Sequence, residues 1–221
     1  MLSWRVRAVS LVIPAALAAG CSANGIEPTG GGGTGASHQS KGGAGTARKR
    51  LSELKVAVPD PMTGYSRDRY GTAWKDVDHN GCDTRDDVLA RDLTHVKKRD
   101  KCVVVSGDLD DPYTGKNIAF TKAHATEVQI DHVFPLALAW RMGAHEWSTD
   151  KRAKLANDPD NLLAVWGRPN EQKGDKGPAD WKPRKAFQCT YAEKFVGVAY
   201  TYRLSVTRVD RTALQDMLGT C

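Results

Sequence analysis

The most informative stretch of the chain reads Ile130-Asp131-His132-Val133-Phe134-Pro135-Leu136. An aspartate can hold a divalent cation on a scissile phosphate, while a neutral imidazole beside it takes a proton from the attacking water. Neighbouring side chains on a strand point to opposite faces, so Asp131 and His132 share a site only where the strand bends or ends. Pro135 favours such an end. The stretch therefore predicts metal-assisted phosphodiester cleavage; a capping aspartate and a buried structural histidine are the alternatives.

Two downstream asparagines extend this pattern. Asn161 lies 29 residues after His132, and Asn170 follows nine residues later in the run Asn170-Glu171-Gln172-Lys173. Interpreted locally, Asn161 belongs to a turn and Asn170 caps a helix. Together with the aspartate–histidine pair, their order and spacing resemble the HNH (ββα-metal) nuclease motif, in the variant with asparagine in place of the last histidine. The chain resembles small secreted bacterial HNH proteins related to the C-terminal domain of GmrSD-type restriction endonucleases.

This resemblance implies a role for each residue. Asp131 and Asn170, the latter through its amide oxygen, would hold one divalent cation, Mg²⁺ by default and Mn²⁺ or Zn²⁺ otherwise. His132 would be the general base, and Asn161 would brace the loop and orient the histidine. Lys173 shares a helical face with Asn170 and would steady the phosphate, unless it is an ordinary solvated lysine. Cleavage is expected to leave a 5′-phosphate.

A second resemblance covers residues 65–85, which look like the N-terminal signature of the same secreted proteins. This segment includes the run Tyr70-Gly71-Thr72-Ala73-Trp74-Lys75-Asp76-Val77-Asp78-His79-Asn80-Gly81-Cys82-Asp83-Thr84-Arg85. Arg85 is a candidate phosphate contact, because guanidinium pairs well with phosphate oxygens; a surface ion pair is the alternative. The resemblance therefore extends over nearly the whole predicted domain.

The same segment also fits the spacing of an EF-hand calcium loop at positions 1, 3, 5, 6 and 12. Position 12 normally carries glutamate, and Gly71 lies where the preceding helix should run. A disulfide-pinned turn is therefore favoured over a calcium site. The residues at those positions are Asp76, Asp78, Asn80, Gly81 and Asp87.

The N-terminus has the features of an export signal over residues 1–20. Arg5 and Arg7 precede an apolar run that is too short to span a bilayer. The run ends in Leu17-Ala18-Ala19-Gly20-Cys21, which resembles a bacterial lipobox with Cys21 as the lipidated residue; an ordinary secretory signal is the alternative. Residues 21–50 are rich in glycine and predict a flexible linker. Residues 51–221 have the length of a single domain, expected to be of the HNH nuclease type.

Four cysteines remain once Cys21 is assigned to lipidation, and an even number in an exported domain favours two disulfides. Three pairings are possible. The pairs Cys82–Cys102 and Cys189–Cys221 are favoured because each closes a local loop. A zinc site is disfavoured because no two cysteines have CxxC spacing.

The periodicity of apolar residues predicts an α+β fold with several helices and a small N-terminal hairpin, stapled by the two disulfides. The resemblance implies that residues 127–173 form its ββα-metal core. Residues 189–204 are also compatible with a strand. Helices are expected over residues 51–56, 86–96, 136–141, 151–156, 189–204 and 212–218, and a further short helix is expected to begin at residue 170. Strands are expected over residues 102–105, 117–121, 127–133 and 162–165.

These features favour an exported, metal-dependent endonuclease with low sequence specificity that acts on DNA, with RNA left open as a further substrate. The formal net charge of +6 falls to +4 without the two arginines of the signal, which is compatible with a polyanionic substrate. The expected partners are nucleic acid and, through the lipid anchor, a membrane, with no obligate protein partner. One alternative is a non-catalytic surface lipoprotein that keeps the scaffold for binding, with calcium dependence through Asp76 and Asp78. Another is a toxin-like effector with an immunity partner.

Overall fold

A computed structural model describes residues 41–221. The predicted export signal, Cys21 and residues 22–40 of the predicted linker lie outside the described residues. The structure contains seven α-helices and five β-strands within the described part, with the α+β composition that the sequence predicts. No helix in that part is long and apolar enough to cross a membrane. The helices are α1 (Lys41–Glu53), α2 (Thr84–Asp92), α3 (Leu136–Arg141), α4 (Thr149–Ala156), α5 (Gly167–Lys173), α6 (Lys185–Tyr202) and α7 (Arg208–Leu218), and the strands are β1 (Thr94–Lys98), β2 (Val104–Asp110), β3 (Asn117–Thr121), β4 (Val128–His132) and β5 (Leu162–Trp166).

Helix α1 corrects the predicted boundary between linker and domain. The prediction of a flexible linker up to residue 50 is wrong for residues 41–50, which are helical. Ala44, Ala47 and Leu51 recur at helical spacing and are buried, and the helix packs against α6 and α7. The glycines of this segment obscure the apolar stripe. At Gly43 a Cβ atom would lie 2.8 Å from Oε1 of Glu193 on α6, so glycine allows the two helices to approach closely.

The second correction concerns residues 86–96, where the sequence predicts one helix. Helix α2 ends at Asp92, and the chain continues as the edge strand β1, which pairs with β2. Pairing with a neighbouring strand thus overrides the local helical pattern. The helix is capped by Asp83, whose side chain accepts a hydrogen bond from the N–H of Asp86.

The strands form two antiparallel sheets, one of order β1-β2-β3 and one of β4 and β5 alone. The β4–β5 pair carries the aspartate–histidine stretch, with Asp131 opposite Leu163 and His132 opposite Leu162. Leu163 belongs to the core formed with the large helices, whereas Leu162 belongs to the core formed with the three-stranded sheet. The ribbon is therefore buried on both faces, which explains why β5 is a continuous apolar run.

Both predicted disulfides are confirmed. Cys82 is bonded to Cys102, and Cys189 is bonded to Cys221. The first ties the loop before α2 to the segment before β2, and the second ties α6 to the C-terminal residue. Within residues 41–221, the group of metal-ligating side chains Cys189, Glu193 and Cys221 includes both cysteines of the second disulfide, so those thiols are not available as zinc ligands.

Candidate active site

His132 is the last residue of β4, and its side chain is only 7% exposed. Its Nε2 lies 2.8 Å from the carbonyl oxygen of Ala156, the last residue of α4. A carbonyl can only accept, so Nε2 carries the proton and Nδ1 keeps its lone pair. The end of α4 has carbonyl groups without partners inside the helix, and His132 satisfies one of them. The helix end thereby fixes the tautomer that a general base requires.

The environment of His132 keeps the imidazole neutral. Burial lowers the pKa of His132 to about 3, and the positive charges of Arg67 and Lys173 act in the same direction. The hydrogen bond to Ala156 opposes this shift. A neutral imidazole at physiological pH can accept a proton, but so low a pKa makes it a weak base until an anion enters the site.

Trp74 covers one side of the histidine. Its ring is nearly parallel to the imidazole, with an angle of 12° and 6.4 Å between the centroids. Trp74 has a φ of +58°, a conformation that is uncommon for a large side chain and that often marks functional sites. The backbone of this segment is held by the N–H of Thr84, which donates to the Trp74 carbonyl.

Asp131 lies on the opposite face of the strand end, in a closed network of buried groups. Lys173 Nζ is 3.0 Å from Oδ1 and 2.9 Å from Oδ2, and it also donates to the carbonyl oxygen of His132 at 2.8 Å. Tyr113 donates its hydroxyl to Oδ2. Lys173 is completely buried, so the alternative of a solvated lysine is wrong, and its ammonium makes two hydrogen bonds and an ion pair inside the protein.

Burial acts on both members of this ion pair. It raises the pKa of the Asp131 carboxyl, against the attraction of Lys173, and it lowers the pKa of the Lys173 ammonium, against the attraction of Asp131. Each partner therefore depends on the other to remain charged in the protein interior.

Asn161 occupies the bracing position that the resemblance implies. It is fully buried, its Oδ1 accepts the N–H of Phe134, and its Nδ2 donates to the carbonyls of Phe134 and Leu155. Leu155 directly precedes the residue whose carbonyl binds His132. Asn161 thus ties the loop after β4 to the end of α4, the two segments that position the imidazole.

Asn170 lies on α5 and lines an open cleft of about 250 Å³ together with Asp131 and His132. Its Nδ2 donates to Oε1 of Gln129 at 2.8 Å. Because the nitrogen is engaged, the amide oxygen is the atom left for a ligand. The structure therefore brings Asp131, His132 and Asn170 to one cleft, while Asn161 does not line it.

Arg85 is absent from the residues that line this cleft. Its guanidinium donates to the carbonyls of Ala125 and Val128 and holds the segment before β4. This geometry gives Arg85 a structural contact in place of the predicted phosphate contact.

Three cleft residues were not singled out by the sequence. Arg67 lines both the cleft and a small adjoining cavity that also contains His132 and Trp74. Tyr65 and Asp175 lie in the cleft as well. Tyr65 and Arg67 both lie within the second resemblance segment, which could have pointed to them, whereas no pattern in the sequence indicated Asp175.

The 76–87 loop is the pinned turn that the sequence favours. Asn80 Nδ2 donates to Oδ2 of both Asp78 and Asp87, and the N–H of Gly81 donates to Asp76. Amide donors thus link the acidic side chains of this loop, next to the Cys82–Cys102 disulfide.

Comparisons with known proteins support the GmrSD part of the resemblance and export, and the secreted relative they give is fungal, not bacterial. Residues 83–217 match the family model of the C-terminal domain of GmrSD restriction endonucleases, over more than half of the chain. The chain is also 42% identical over 181 residues to an uncharacterized secreted protein of Arthroderma benhamiae, covering 80% of this chain and 86% of that protein. No solved structure matches the chain. The chain therefore belongs to the family of the GmrSD restriction endonuclease C-terminal domain.

Proposed function

We propose that this protein is an exported endonuclease that hydrolyses phosphodiester bonds with the help of one divalent cation. The observation that carries the proposal is the cleft in which a neutral histidine of fixed tautomer meets Asp131 and Asn170. Membership of a restriction-endonuclease domain family supports a nuclease-related role, and the secreted relative supports export. Lipidation at Cys21 remains part of the proposal.

In this proposal β4, β5 and α5 form the ββα-metal core. The two strands are antiparallel and α5 follows β5 directly, so the order strand, strand, helix agrees with that core. Asp131 and His132 come from the first strand, and Asn170 from the helix.

Asp131 and Asn170 would hold the cation. The donor set fits a hard cation such as Mg²⁺, because the Asn170 amide oxygen is available and Oδ1 of Asp131, which is hydrogen-bonded to Lys173, keeps a lone pair. When bound, the cation stabilises the negative charge that develops on the phosphate.

His132 would take the proton of the attacking water on Nδ1, while Ala156 holds the proton on Nε2. Arg67 is placed to pair with the incoming phosphate. Pairing would cancel the charge of Arg67 that lowers the pKa of His132, so the substrate itself would make the histidine a better base.

DNA is the proposed substrate, with RNA as a second one, and phosphate contacts would supply most of the affinity. Binding should then fall with increasing salt and depend little on sequence.

One observation favours the rival function, a non-catalytic scaffold used for binding. The Lys173 ammonium neutralises Asp131, the carboxylate proposed for the metal. A binding scaffold would tolerate this pairing, whereas a nuclease must hold its cation in spite of it.

Plasmid degradation by the purified exported protein separates the two functions. Cutting is expected with Mg²⁺ or Mn²⁺ and not with EDTA, and the ends should carry a 5′-phosphate, so that they ligate without a kinase step. If the folded protein cuts neither single- nor double-stranded DNA nor RNA with Mg²⁺, Mn²⁺ or Zn²⁺, the binding scaffold is the better account.

A further inference from the structure

If the protein binds a divalent cation as the proposed function requires, the two ligands named so far supply too little negative charge. Lys173 Nζ lies about equally close to both oxygens of Asp131, at 3.0 and 2.9 Å. The Lys173 ammonium carries one positive charge and the Asp131 carboxylate one negative charge. A cation that approaches the carboxylate is therefore repelled by Lys173 about as strongly as it is attracted by Asp131. Asn170, the other proposed ligand, is neutral. These two residues alone offer a divalent cation almost no net negative charge.

Asp175 is the remaining acidic residue of the cleft. It is exposed, and it makes no hydrogen bond or ion pair with any residue of the described chain. It follows Gly174, which ends α5 with a φ of +53° and donates its N–H to the carbonyl of Asn170. The turn at Gly174 thus directs the chain so that Asp175 stays beside the cleft instead of continuing along the helix.

The charge of Asp175 reaches the site. Its negative charge adds to the rise that burial causes in the pKa of Tyr65. It also opposes, in part, the larger lowering that burial causes in the pKa of Lys173. Magnesium usually keeps several waters and is held by only one or two carboxylates, so a single free carboxylate is the kind of ligand that the site lacks.

We propose that Asp175 supplies the negative charge that binds the divalent cation, as a ligand with Asn170 either directly or through a water molecule. Asp131 remains a ligand, but its ion pair with Lys173 leaves it little net charge to offer the cation, and the same pair fixes the strand end and the His132 backbone. Asp175 is thus a third member of the metal site, and the cation lies toward the α5 end of the cleft.

Titration of the exported protein with Mn²⁺, followed by calorimetry and by the Mn²⁺ electron paramagnetic resonance signal, tests this without measuring cleavage. Asp175→Asn should weaken Mn²⁺ binding by at least tenfold. Asp180→Asn is the matched control, because Asp180 is also exposed and acidic but does not line the cleft. Asn170→Asp combined with Asp175→Asn should restore binding, since it returns one carboxylate to the same site.

Wild-type affinity in Asp175→Asn would overturn the inference, as would a wild-type protein that binds no Mn²⁺. Equal losses in Asp175→Asn and Asp180→Asn would also contradict it, because they would reflect overall charge. A loss confined to Asp175→Asn supports the metal site even if the protein cuts no nucleic acid, in which case only the proposed nuclease function fails.

Discussion

At the scale of single residues, Lys173 is the largest departure from expectation. Its spacing from Asn170 predicts a phosphate contact or a solvated side chain, but the ammonium is buried against Asp131 and the His132 carbonyl. A sequence shows that a lysine lies on a helical face, but not that this face is turned into the protein. Burial of such a charge is stable only with a partner.

Lys173→Met should therefore destabilise the protein by about 3–5 kcal/mol, because it leaves the Asp131 charge buried and unpaired. Thermal or urea unfolding measures this. Lys176→Met is the control, since Lys176 is exposed and binds only the Gln172 carbonyl, and it should change stability by less than ~0.5 kcal/mol. Similar stabilities of the two variants would contradict the buried ion pair.

The low pKa of His132 in the folded protein predicts that the protein loses stability in acid. Its pKa is about 3 in the folded protein and about 6.5 when the chain unfolds, so below pH 6.5 the unfolded chain binds a proton that the folded one does not. Stability contributed by neutral His132 is thus lost as the pH falls from about 6.5 toward 3, by about 2 kcal/mol at pH 5.

Urea unfolding of the wild type and of His132→Gln at pH 7 and pH 5 measures this contribution. The difference between the two pH values should be smaller in His132→Gln and unchanged in His124→Gln, whose side chain is exposed. An equal acid loss in all three proteins would show that His132 is not the source.

Among the helices and strands, the sequence predicts the bounds best where the local pattern of apolar residues agrees with the packing in the fold. Helix α3 matches its predicted bounds, and β3 does as well. The predictions for α1 and β1 are wrong for different physical reasons. The glycines of α1 make its apolar stripe hard to recognise in the sequence. Strand β1 forms because it pairs with β2, and a local sequence pattern does not contain this long-range pairing.

Leu51→Ala tests the corrected boundary of the domain. Leu51 is 2% exposed and packs in the large core from α1, so its truncation should cost about 2–5 kcal/mol in chemical unfolding. Ser52→Ala, on the exposed side of the same helix, should change stability by less than ~0.5 kcal/mol. If Leu51→Ala is also neutral, α1 is not part of the folded domain.

The elements also explain which site residues could be predicted. Asp131, His132, Asn161 and Asn170 come together because β4 pairs with β5, Asn161 directly precedes β5, and α5 directly follows it. Arg67 and Trp74 reach the site from a distant irregular segment whose path depends on tertiary contacts.

At the scale of the whole molecule, the β4–β5 ribbon lies between two hydrophobic cores, and the histidine and aspartate occupy opposite faces of its end. On one face, His132 contacts the end of α4 and Trp74. On the other face, Asp131 is paired with the buried Lys173. The site is thus held by the interior of the protein on both sides and opens at the cleft.

The Cys189–Cys221 disulfide stabilises this arrangement from outside the site, because it joins residues 32 positions apart in the C-terminal half. Replacing both cysteines by alanine should lower the free energy of unfolding by about 2–4 kcal/mol. Mn²⁺ binding should be retained at temperatures where the variant is folded. Loss of the metal site in a folded double variant would contradict a purely stabilising role.

We propose above that His132 is the general base of a nuclease. Single-turnover cleavage of a labelled duplex at saturating Mg²⁺ measures this role, with the wild type, His132→Ala and the exposed-histidine control His124→Ala compared at equal fold by circular dichroism. We expect His132→Ala to be slower by about 10²–10⁴-fold and His124→Ala to match the wild type. Cleavage by His132→Ala at the wild-type rate would contradict the account.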